Sequence, residues 1–446
     1  MKNFIVVICF LLSACLSNAQ SGISKYPLPS SAQLKWHEDE YYLFMHFGPN
    51  TFTDKEWGDG KEKTEVFNPN EMDCNQWCRI AKQSGAAGII ITAKHHDGFC
   101  LWPSKYSTHT VQQSTFKRDV LAELSAACKK AGLKFGVYIS PWDRNHPDYG
   151  TPKYNDVFVN MMEELFTNYG PIWELWWDGA NGEGPNGKKQ VYDWNRFEKT
   201  VRRLSPQTVI FSDIGPDMRW IGNESGIGGE TNWNTLDTAG FKRGEGGPST
   251  DSLLTGNVNG VNYIPAESDV SIRPGWFYHK EEDQKVKSPD ELMKIYLRTV
   301  GRGANLLLNV PPDRRGLINE HDSAALVGFY NKRTIFNQPN LLKNASLNLT
   351  EPDKKNPSNN YSRYYILKKP VIMKGLILQE DVKYGQKIAG VAITVSNKGE
   401  VKYQQTITTV GNKRILLFNE PINASEVAIV VLKTKGIPVF KHVKAF

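Results

Sequence analysis

The chain has 446 residues, which is enough for one large domain and a smaller second one. Hydrophobic residues at 40% and aromatic residues at 11% indicate a globular protein with a sizeable core. The formal net charge of +7 is spread along the chain and is not gathered in basic blocks, which argues against nucleic acid as the partner.

The N-terminal stretch MKNFIVVICFLLSACLSNAQ has the pattern of an export signal. A lysine precedes the apolar run 4–12, which is too short to span a membrane. SNA permits ordinary cleavage after Ala19, whereas LSAC resembles a bacterial lipobox that would leave Cys15 lipidated. We expect residues 1–19 to be the signal. The protein is then an exported bacterial protein, either periplasmic or an outer-membrane lipoprotein, with no transmembrane segment.

Four cysteines remain after the signal. Two of them, Cys74 and Cys78, are four residues apart in a helical stretch and therefore lie on one face. No second Cys or His pair at zinc-ligand spacing follows, so buried thiols are favoured over a zinc site. The other two are Cys100 and Cys128.

Strand-like and helix-like stretches alternate from about residue 40 to residue 335. The short apolar runs that predict buried strands are YYLFMHF, AGIIITA, KFGVYIS, IWELWW, TVIFSD and ANLLLNV. The amphipathic stretches that predict helices are NEMDCNQWCRIAKQSG, RDVLAELSAACKKAG, YNDVFVNMMEELFTNYG and VYDWNRFEKTVRRL. SPDE at 288–291 predicts a capping box at the start of another helix. This alternation fits a doubly wound sheet and a closed β/α barrel alike.

Polar side chains at the strand ends favour the barrel. His46 follows the first strand, KHHDG the second, and Asp178 the fourth. A barrel gathers the carboxyl ends of its strands around one mouth, where its active site lies. HFGPNTF, after the first strand, is not a glycine-rich phosphate loop of the Rossmann type. We therefore predict an α/β protein with an irregular (β/α) TIM-like barrel over residues 20–337.

The pattern changes after about residue 340. SLNLT, GLILQED, KIAGVAITVS, KYQQTITTV, KRILLFN and EVAIVVLK are short alternating segments separated by turn residues, and no helical period appears. These features predict a C-terminal antiparallel β-sandwich over residues 338–446.

Asp178 ends the aromatic run WELWW and precedes Gly179. An unpaired charge is costly to bury in a core strand. This carboxylate therefore either caps or pairs with a neighbouring group, or belongs to a functional site at the end of the strand. The mouth of the fourth strand is a catalytic position in a barrel. Among indoles the carboxylate stays ionised only with hydrogen bonds or cations beside it, and we expect nearby histidines to provide them.

His95 and His96 are adjacent at the end of the second strand, where both can face the mouth. A metal site would require a third ligand, for which His46 and Asp97 are candidates. Hydrogen bonding to a hydroxyl-rich ligand requires fewer coincidences, and histidines satisfied within a loop remain an alternative.

Two further carboxylates lie on predicted loops. Glu56 beside Trp57 combines a group that grips hydroxyls with a flat apolar wall, which suits a sugar. Glu224 in RWIGNESG is a candidate second carboxylate, although a solvated loop glutamate also fits its position. Glu230 and Glu267 compete for that role.

The long motifs together resemble the α-L-fucosidases of glycoside hydrolase family 29 over about residues 30–335. They are MHFGPNTFTDKEWGDG, TAKHHDGFCLWPSKYS, GVYISPWDR, WWDGANG and SIRPGWFYHKEED with LLLNVPPDRRGLI. The resemblance implies an irregular β/α barrel, no metal or other cofactor, and retaining hydrolysis through a covalent fucosyl-enzyme.

The resemblance also implies roles for individual residues. Asp178 matches the nucleophile, and Trp276 matches a residue that packs on the C5 methyl group of fucose. The positions that match holders of the fucose hydroxyls and ring are His46, Glu56, Trp57, His95, His96, Tyr138 and Trp176.

RWIGNE and SPWDRNHPDYGTPKY resemble the subgroup that acts on α-1,3/1,4-linked fucose of branched, Lewis-type glycans. That likeness makes Glu224 the acid/base and Glu230 the fallback. The expected partner is a fucosylated oligosaccharide or glycoprotein glycan, from which terminal fucose is removed. The alternatives are a non-catalytic fucose- or glycan-binding barrel and a metal-dependent hydrolase built on His46, His95 and His96.

Overall fold

The computed structural model describes residues 26–244, 250–350 and 361–446. The predicted signal segment, including Cys15, lies outside the described residues. Within the described ranges, no helix is long and apolar enough to cross a membrane.

Eight parallel strands close into a barrel. The strands are β1 Tyr41–Met45, β2 Gly88–Lys94, β3 Lys134–Ile139, β4 Glu174–Trp177, β5 Val209–Ser212, β6 Met218–Trp220, β9 Ala266–Ser271 and β10 Asn305–Asn309. Their order around the barrel is β1–β10–β9–β6–β5–β4–β3–β2. The predicted barrel is therefore confirmed. A small antiparallel pair, β7 Thr235–Leu236 and β8 Asn262–Tyr263, lies between β6 and β9 in the chain.

The apolar runs become strands because both of their faces are covered. Every residue of β1, β2 and β4 is buried, as expected for parallel strands enclosed by helices. Two barrel strands, β6 and β9, have no such apolar run. RWIGNESG was predicted to be a loop, but its first two residues complete β6.

Helices surround the barrel. They are α1 Ser31–Asp39, α2 Pro49–Thr53, α3 Cys74–Gln83, α4 Val120–Ala131, α5 Lys153–Tyr169, α6 Trp194–Leu204, α7 Thr250–Thr255, α8 Pro289–Arg298 and α9 Glu320–Arg333. Short 3-10 turns span Thr64–Val66, Val111–Gln113, Lys280–Lys285, Val300–Arg302, Thr334–Asn337 and Val382–Tyr384. The predicted capping box is confirmed: the Ser288 hydroxyl accepts from the Glu291 amide, and the Glu291 carboxylate accepts from the Ser288 amide.

The C-terminal segment forms an antiparallel six-stranded sheet. Its strands are β11 Ser346–Thr350, β12 Tyr361–Glu380, β13 Ile388–Asn397, β14 Glu400–Ile407, β15 Arg414–Thr434 and β16 Phe440–Ala445. They lie in the order β11–β12–β15–β13–β14, and β16 pairs with β12. The two long strands change register between Ile366 and Val371. The side chains before and after this change of register pack in one hydrophobic core, which includes Leu376, Phe418 and Ile393. KRILLFN and EVAIVVLK, predicted as two strands, are parts of the single strand β15.

The four described cysteines are free and buried, which confirms the prediction of buried thiols for Cys74 and Cys78. Cys78 on α3 and Cys128 on α4 bring their sulfurs to 3.8 Å of each other between the two helices. The pair therefore belongs to the packing of helices against the barrel.

Candidate active site

One cavity of about 420 Å³ opens at the carboxyl ends of the barrel strands. The structure brings all the predicted site residues to its wall: His46, Glu56, Trp57, His95, His96, Tyr138, Trp176, Asp178, Glu224 and Trp276. They come from β3 and β4 and from the segments that follow β1, β2, β4, β6 and β9, so the closed barrel brings together residues that lie far apart in sequence.

Asp178 immediately follows β4, and a quarter of its side chain (25%) is exposed to the cavity. The Tyr138 hydroxyl donates to its Oδ2 at 2.9 Å, and the Ala180 backbone amide donates to its Oδ1 at 2.7 Å. Both oxygens of the Asp178 carboxylate therefore accept a hydrogen bond from a neighbouring donor. The chain turns at Gly179 and so returns the amide of Ala180 to the carboxylate that ends the strand.

The three cavity histidines are buried and neutral. Burial lowers the pKa of His46 and of His96 to about 4, and it holds the pKa of His95 well below its usual value. His96 Nε2 lies 3.7 Å from Asp178 Oδ2. The expected support of Asp178 by histidines is therefore not cationic. A phenol and a backbone amide supply the hydrogen bonds to the carboxylate.

Neighbouring polar groups fix two of these rings. His46 Nδ1 lies 2.9 Å from Asn309 Oδ1, which fits an Nδ1–H donor and leaves Nε2 as an acceptor. His96 Nδ1 lies 2.7 Å from the Ser140 hydroxyl. Among the described residues, no three His, Cys, Asp or Glu side chains are arranged to hold a metal ion.

Glu224 lies on the loop after β6, on another wall of the same cavity. The indole Nε1 of Trp276 donates to its Oε2 at 3.2 Å. Burial raises the pKa of Glu224, and the negative charges of Asp178 and Glu56 act in the same direction against the Trp276 hydrogen bond. This carboxyl group therefore holds a proton more readily than an exposed glutamate does.

Glu56, on the loop after α2, accepts from the loop after β9. Its Oε2 receives the Trp276 amide at 2.8 Å, and its Oε1 receives the Phe277 amide at 3.2 Å. His279 Nε2 also lies 2.7 Å from Oε1. Trp57 is 57% exposed at the rim, so one side of the cavity is an aromatic ring open to solvent.

Aromatic rings form the floor of the cavity. Trp176 stacks on Phe211 with centroids 4.0 Å apart and planes at 10°, and on its other side lies Tyr138 at 5.4 Å. Trp276 lies 5.1 Å from the His46 ring. Flat apolar faces beside polar groups suit a ligand with both C–H faces and hydroxyl edges.

The two competing glutamates lie elsewhere. Glu267 is completely buried in β9, where its Oε1 accepts from Trp176 Nε1 at 2.8 Å below the floor. Glu230 is paired with Arg302 and, at 2.6 Å, with Arg414 of the C-terminal sheet. Neither side chain lines the cavity.

Several wall residues were missed by sequence reasoning: Phe44, Gly179, Ala180, Phe211, Asp213, Trp220, Thr250, Leu253 and Asp269. The strand-end pattern of TVIFSD could have indicated Asp213. Asp269 lies in β9, a strand without an apolar run. The Trp220 indole donates to its Oδ1 at 2.8 Å, and burial together with the Glu224 charge raises its pKa well above the usual value.

The chain is similar in sequence and in fold to proteins that are already known. The family profile described as alpha-L-fucosidase matches residues 24–330. Alpha-L-fucosidase 1 of Arabidopsis thaliana is 38% identical over 96% of this chain and 90% of its own length. A glycoside hydrolase 29 family member from an unknown rumen bacterium is 38% identical, with a TM-score of 0.85, over 94% of this chain and 77% of that one. A Ruminococcus gnavus GH29 fucosidase, solved in complex with fucose, is 27% identical with a TM-score of 0.83 over 97% of both chains.

Proposed function

Because the chain belongs to the alpha-L-fucosidase family, glycoside hydrolase family 29, we propose that it removes terminal L-fucose from glycans by retaining double displacement. Alpha-L-fucosidase activity comes with membership of the family, whose relatives carry that name. Beyond that activity, we propose that the configuration of the sugar is retained, and we assign the catalytic residues and the preferred fucosyl linkage.

In the first step, Asp178 attacks the anomeric carbon of fucose while Glu224 gives its proton to the departing oxygen. The bond between the anomeric carbon and that oxygen breaks, and a fucosyl ester forms on Asp178. In the second step, Glu224 takes a proton from water, whose oxygen attacks the same carbon and releases Asp178. Two inversions leave the configuration of the sugar unchanged.

The contrast between the two carboxyl groups carries this proposal. Asp178 accepts hydrogen bonds from Tyr138 and Ala180, as an anionic nucleophile requires. Glu224 has a raised pKa, with burial as the main cause, as an acid needs in order to hold its proton. A retaining hydrolase needs one carboxyl group of each kind on the same cavity.

We assign the remaining wall residues to fucose recognition. Neutral imidazoles of His46, His95 and His96 suit hydroxyl groups because each ring offers one donor and one acceptor. Glu56 and Tyr138 add hydrogen-bonding oxygens. The rings that suit the apolar face and methyl group of the sugar are Trp57, Trp176 and Trp276. Fucose bound to the Ruminococcus gnavus relative supports the choice of sugar.

We further propose a preference for α-1,3/1,4-linked fucose in Lewis-type glycans, with the protein acting after export. The segments RWIGNE and SPWDRNHPDYGTPKY support the linkage, and the N-terminal pattern supports export. Hydrolysis of Lewis a or Lewis x trisaccharide is compared with that of 2'-fucosyllactose at equal concentration. We expect the branched substrates to be cleaved at least about tenfold faster, and equal rates would contradict the preference.

Asp178→Asn tests the nucleophile. The amide cannot form the ester, so hydrolysis of an aryl α-L-fucoside should fall by about four orders of magnitude or more while the thermal unfolding midpoint stays close to wild type. A folded Asp178→Asn protein with near-normal turnover would refute the assignment.

Glu224→Ala tests the acid/base. An aryl fucoside with a good leaving group needs little protonation, so its fucosyl-enzyme should form and then persist. Azide, which needs no general base, should restore turnover and yield fucosyl azide. Full activity without azide would move the role to another carboxyl group, with the cavity residue Asp269 as the next to test.

A further inference from the structure

His279 bridges two carboxylates at the rim of the cavity. Its Nδ1 lies 2.7 Å from Asp54 Oδ1, and its Nε2 lies 2.7 Å from Glu56 Oε1. Asp54 and Glu56 lie on the loop after α2, whereas His279 lies on the loop after β9. One imidazole therefore joins the two loops.

Only the imidazolium can make both hydrogen bonds, because both partners are acceptors and a neutral ring has a single N–H. Burial disfavours the charged ring, but the hydrogen bonds and charges of Asp54 and Glu56 outweigh burial and raise the pKa of His279. Other nearby charged groups include Arg314, whose Nη2 lies 3.6 Å from Asp54, and Arg273, whose Nη1 lies 3.5 Å from the His279 carbonyl oxygen and 3.0 Å from Asp283 Oδ1. Glu282 accepts from the Gly275 amide on the same loop.

The bridge acts on a group that lines the cavity. The Glu56 carboxylate already receives the amides of Trp276 and Phe277, and His279 adds the only hydrogen bond from a side chain to that carboxylate that the described residues show. Gly275 keeps the loops close, since a Cβ there would lie 2.7 Å from Glu56 Oε1 and 2.9 Å from His279 Cδ2. Trp276, two residues after Pro274, then donates its indole N–H to Glu224. Movement of this loop would displace groups proposed to bind fucose and to orient the acid.

We propose that His279 is a positioning residue whose imidazolium joins the two rim loops and holds Glu56 for fucose binding, so that loss of its proton weakens substrate binding. The inference rests on the proposed role of Glu56. Because the protonated ring is the bridging form, the bridge is complete at low pH and is lost as pH rises through the pKa of His279. KM for a fucoside therefore rises on the alkaline side, with kcat much less affected.

Asp54→Asn is the sharper of two test variants, because Asp54 does not line the cavity. Removing its charge should move the alkaline rise in KM for an aryl fucoside to lower pH by about one unit. His279→Gln, with one amide in place of two ring N–H groups, should raise KM about fivefold at pH 6 and abolish the alkaline rise. His321→Gln, an exposed histidine on α9, is the matched control and should follow the wild-type profile.

NMR titration of the histidine ring protons gives a readout that does not depend on turnover. One resonance should titrate above pH 6.5, vanish in His279→Gln, and move to lower pH in Asp54→Asn. If the bridge were merely structural, each variant would change kcat and KM by the same factor at every pH and leave the alkaline rise in place, which would contradict the inference. Unchanged pH profiles of KM in both variants, or an unchanged His279 titration in Asp54→Asn, beside an active wild-type enzyme, would overturn the inference alone. An inactive wild type with the expected titration would overturn the proposed function.

Discussion

Two neighbouring carboxyl groups, Glu174 and Glu267, are buried below the cavity floor. Both are fully buried in the barrel interior, where Trp36 Nε1 donates to Glu174 at 3.1 Å and Tyr42 donates to Glu267. Burial raises the pKa of both groups, and that of Glu174 rises further because the charge of Glu267 lies beside it. We therefore expect Glu174 to hold a proton more readily than Glu267, which accepts from Tyr42 and from Trp176.

This division predicts unequal effects of the same substitution. Glu174→Gln keeps a neutral side chain that can donate, so the free energy of unfolding should change by less than about 1 kcal/mol. Glu267→Gln places an N–H where only acceptors fit, against the Trp176 and Tyr42 donors, and should cost about 2 kcal/mol. Urea unfolding at pH 7 measures both values. Equal losses in the two variants would contradict the assignment of the proton.

Sequence reasoning reached the cavity wall but not its electrostatics. Asp178 and His46 could be predicted because each directly follows an apolar strand, and parallel strands in a barrel end at one mouth. The protonation of His46 and His96 could not be predicted, because burial and neighbouring charges set it. A sequence shows neither the burial of a side chain nor the charges beside it. For the same reason, the hydrogen bonds from Tyr138 and Ala180 to Asp178 could be identified only from the structure.

At the scale of elements, apolar runs predicted six of the barrel strands and missed β6 and β9. The segment AESDVS of β9 reads as polar, yet all six of its residues are buried. Its two carboxyl groups find partners on other strands: Glu267 accepts from Trp176, and Asp269 accepts from Trp220. A strand whose polar groups are satisfied by distant side chains carries no local signal.

The capping box of α8 is an element that local sequence does specify. Its hydrogen bonds join residues three apart: the Glu291 amide donates to Ser288 Oγ at 3.3 Å, and the Ser288 amide donates to Glu291 Oε2 at 2.8 Å. Ser288→Ala should lower the free energy of unfolding by about 1 kcal/mol and leave kcat/KM unchanged. Ser323→Ala, inside α9, is the control for a serine that caps no helix. If both variants unfold at the same urea concentration, the cap contributes nothing to stability.

At the scale of the whole molecule, polar contacts join the barrel to the C-terminal sheet. Glu230 pairs with Arg414, which is only 4% exposed, and the Gln386 side chain accepts from the Asn234 amide at 2.7 Å and donates to the Asn232 carbonyl at 2.9 Å. All these barrel residues lie between β6 and β8, the part of the chain that follows Glu224. The sheet therefore supports the region that carries the proposed acid.

Glu230→Gln separates this support from catalysis. Loss of the charge leaves Arg414 without its ionic partner, which should lower the free energy of unfolding by about 1 kcal/mol, since Glu230 itself is 63% exposed. Turnover of an aryl fucoside at 25 °C should stay within about twofold of wild type. A loss of several orders of magnitude, with azide rescue, would instead make Glu230 the acid/base.

Trapping of the covalent intermediate tests the central claim most directly. The protein is incubated with a 2-deoxy-2-fluoro-L-fucosyl donor carrying a good leaving group, digested at low pH, and mapped by tandem mass spectrometry. We predict one fluorofucosyl group per chain, on the side chain of Asp178. A label on another side chain, such as Asp213 or Asp269 of the same cavity, would contradict the account.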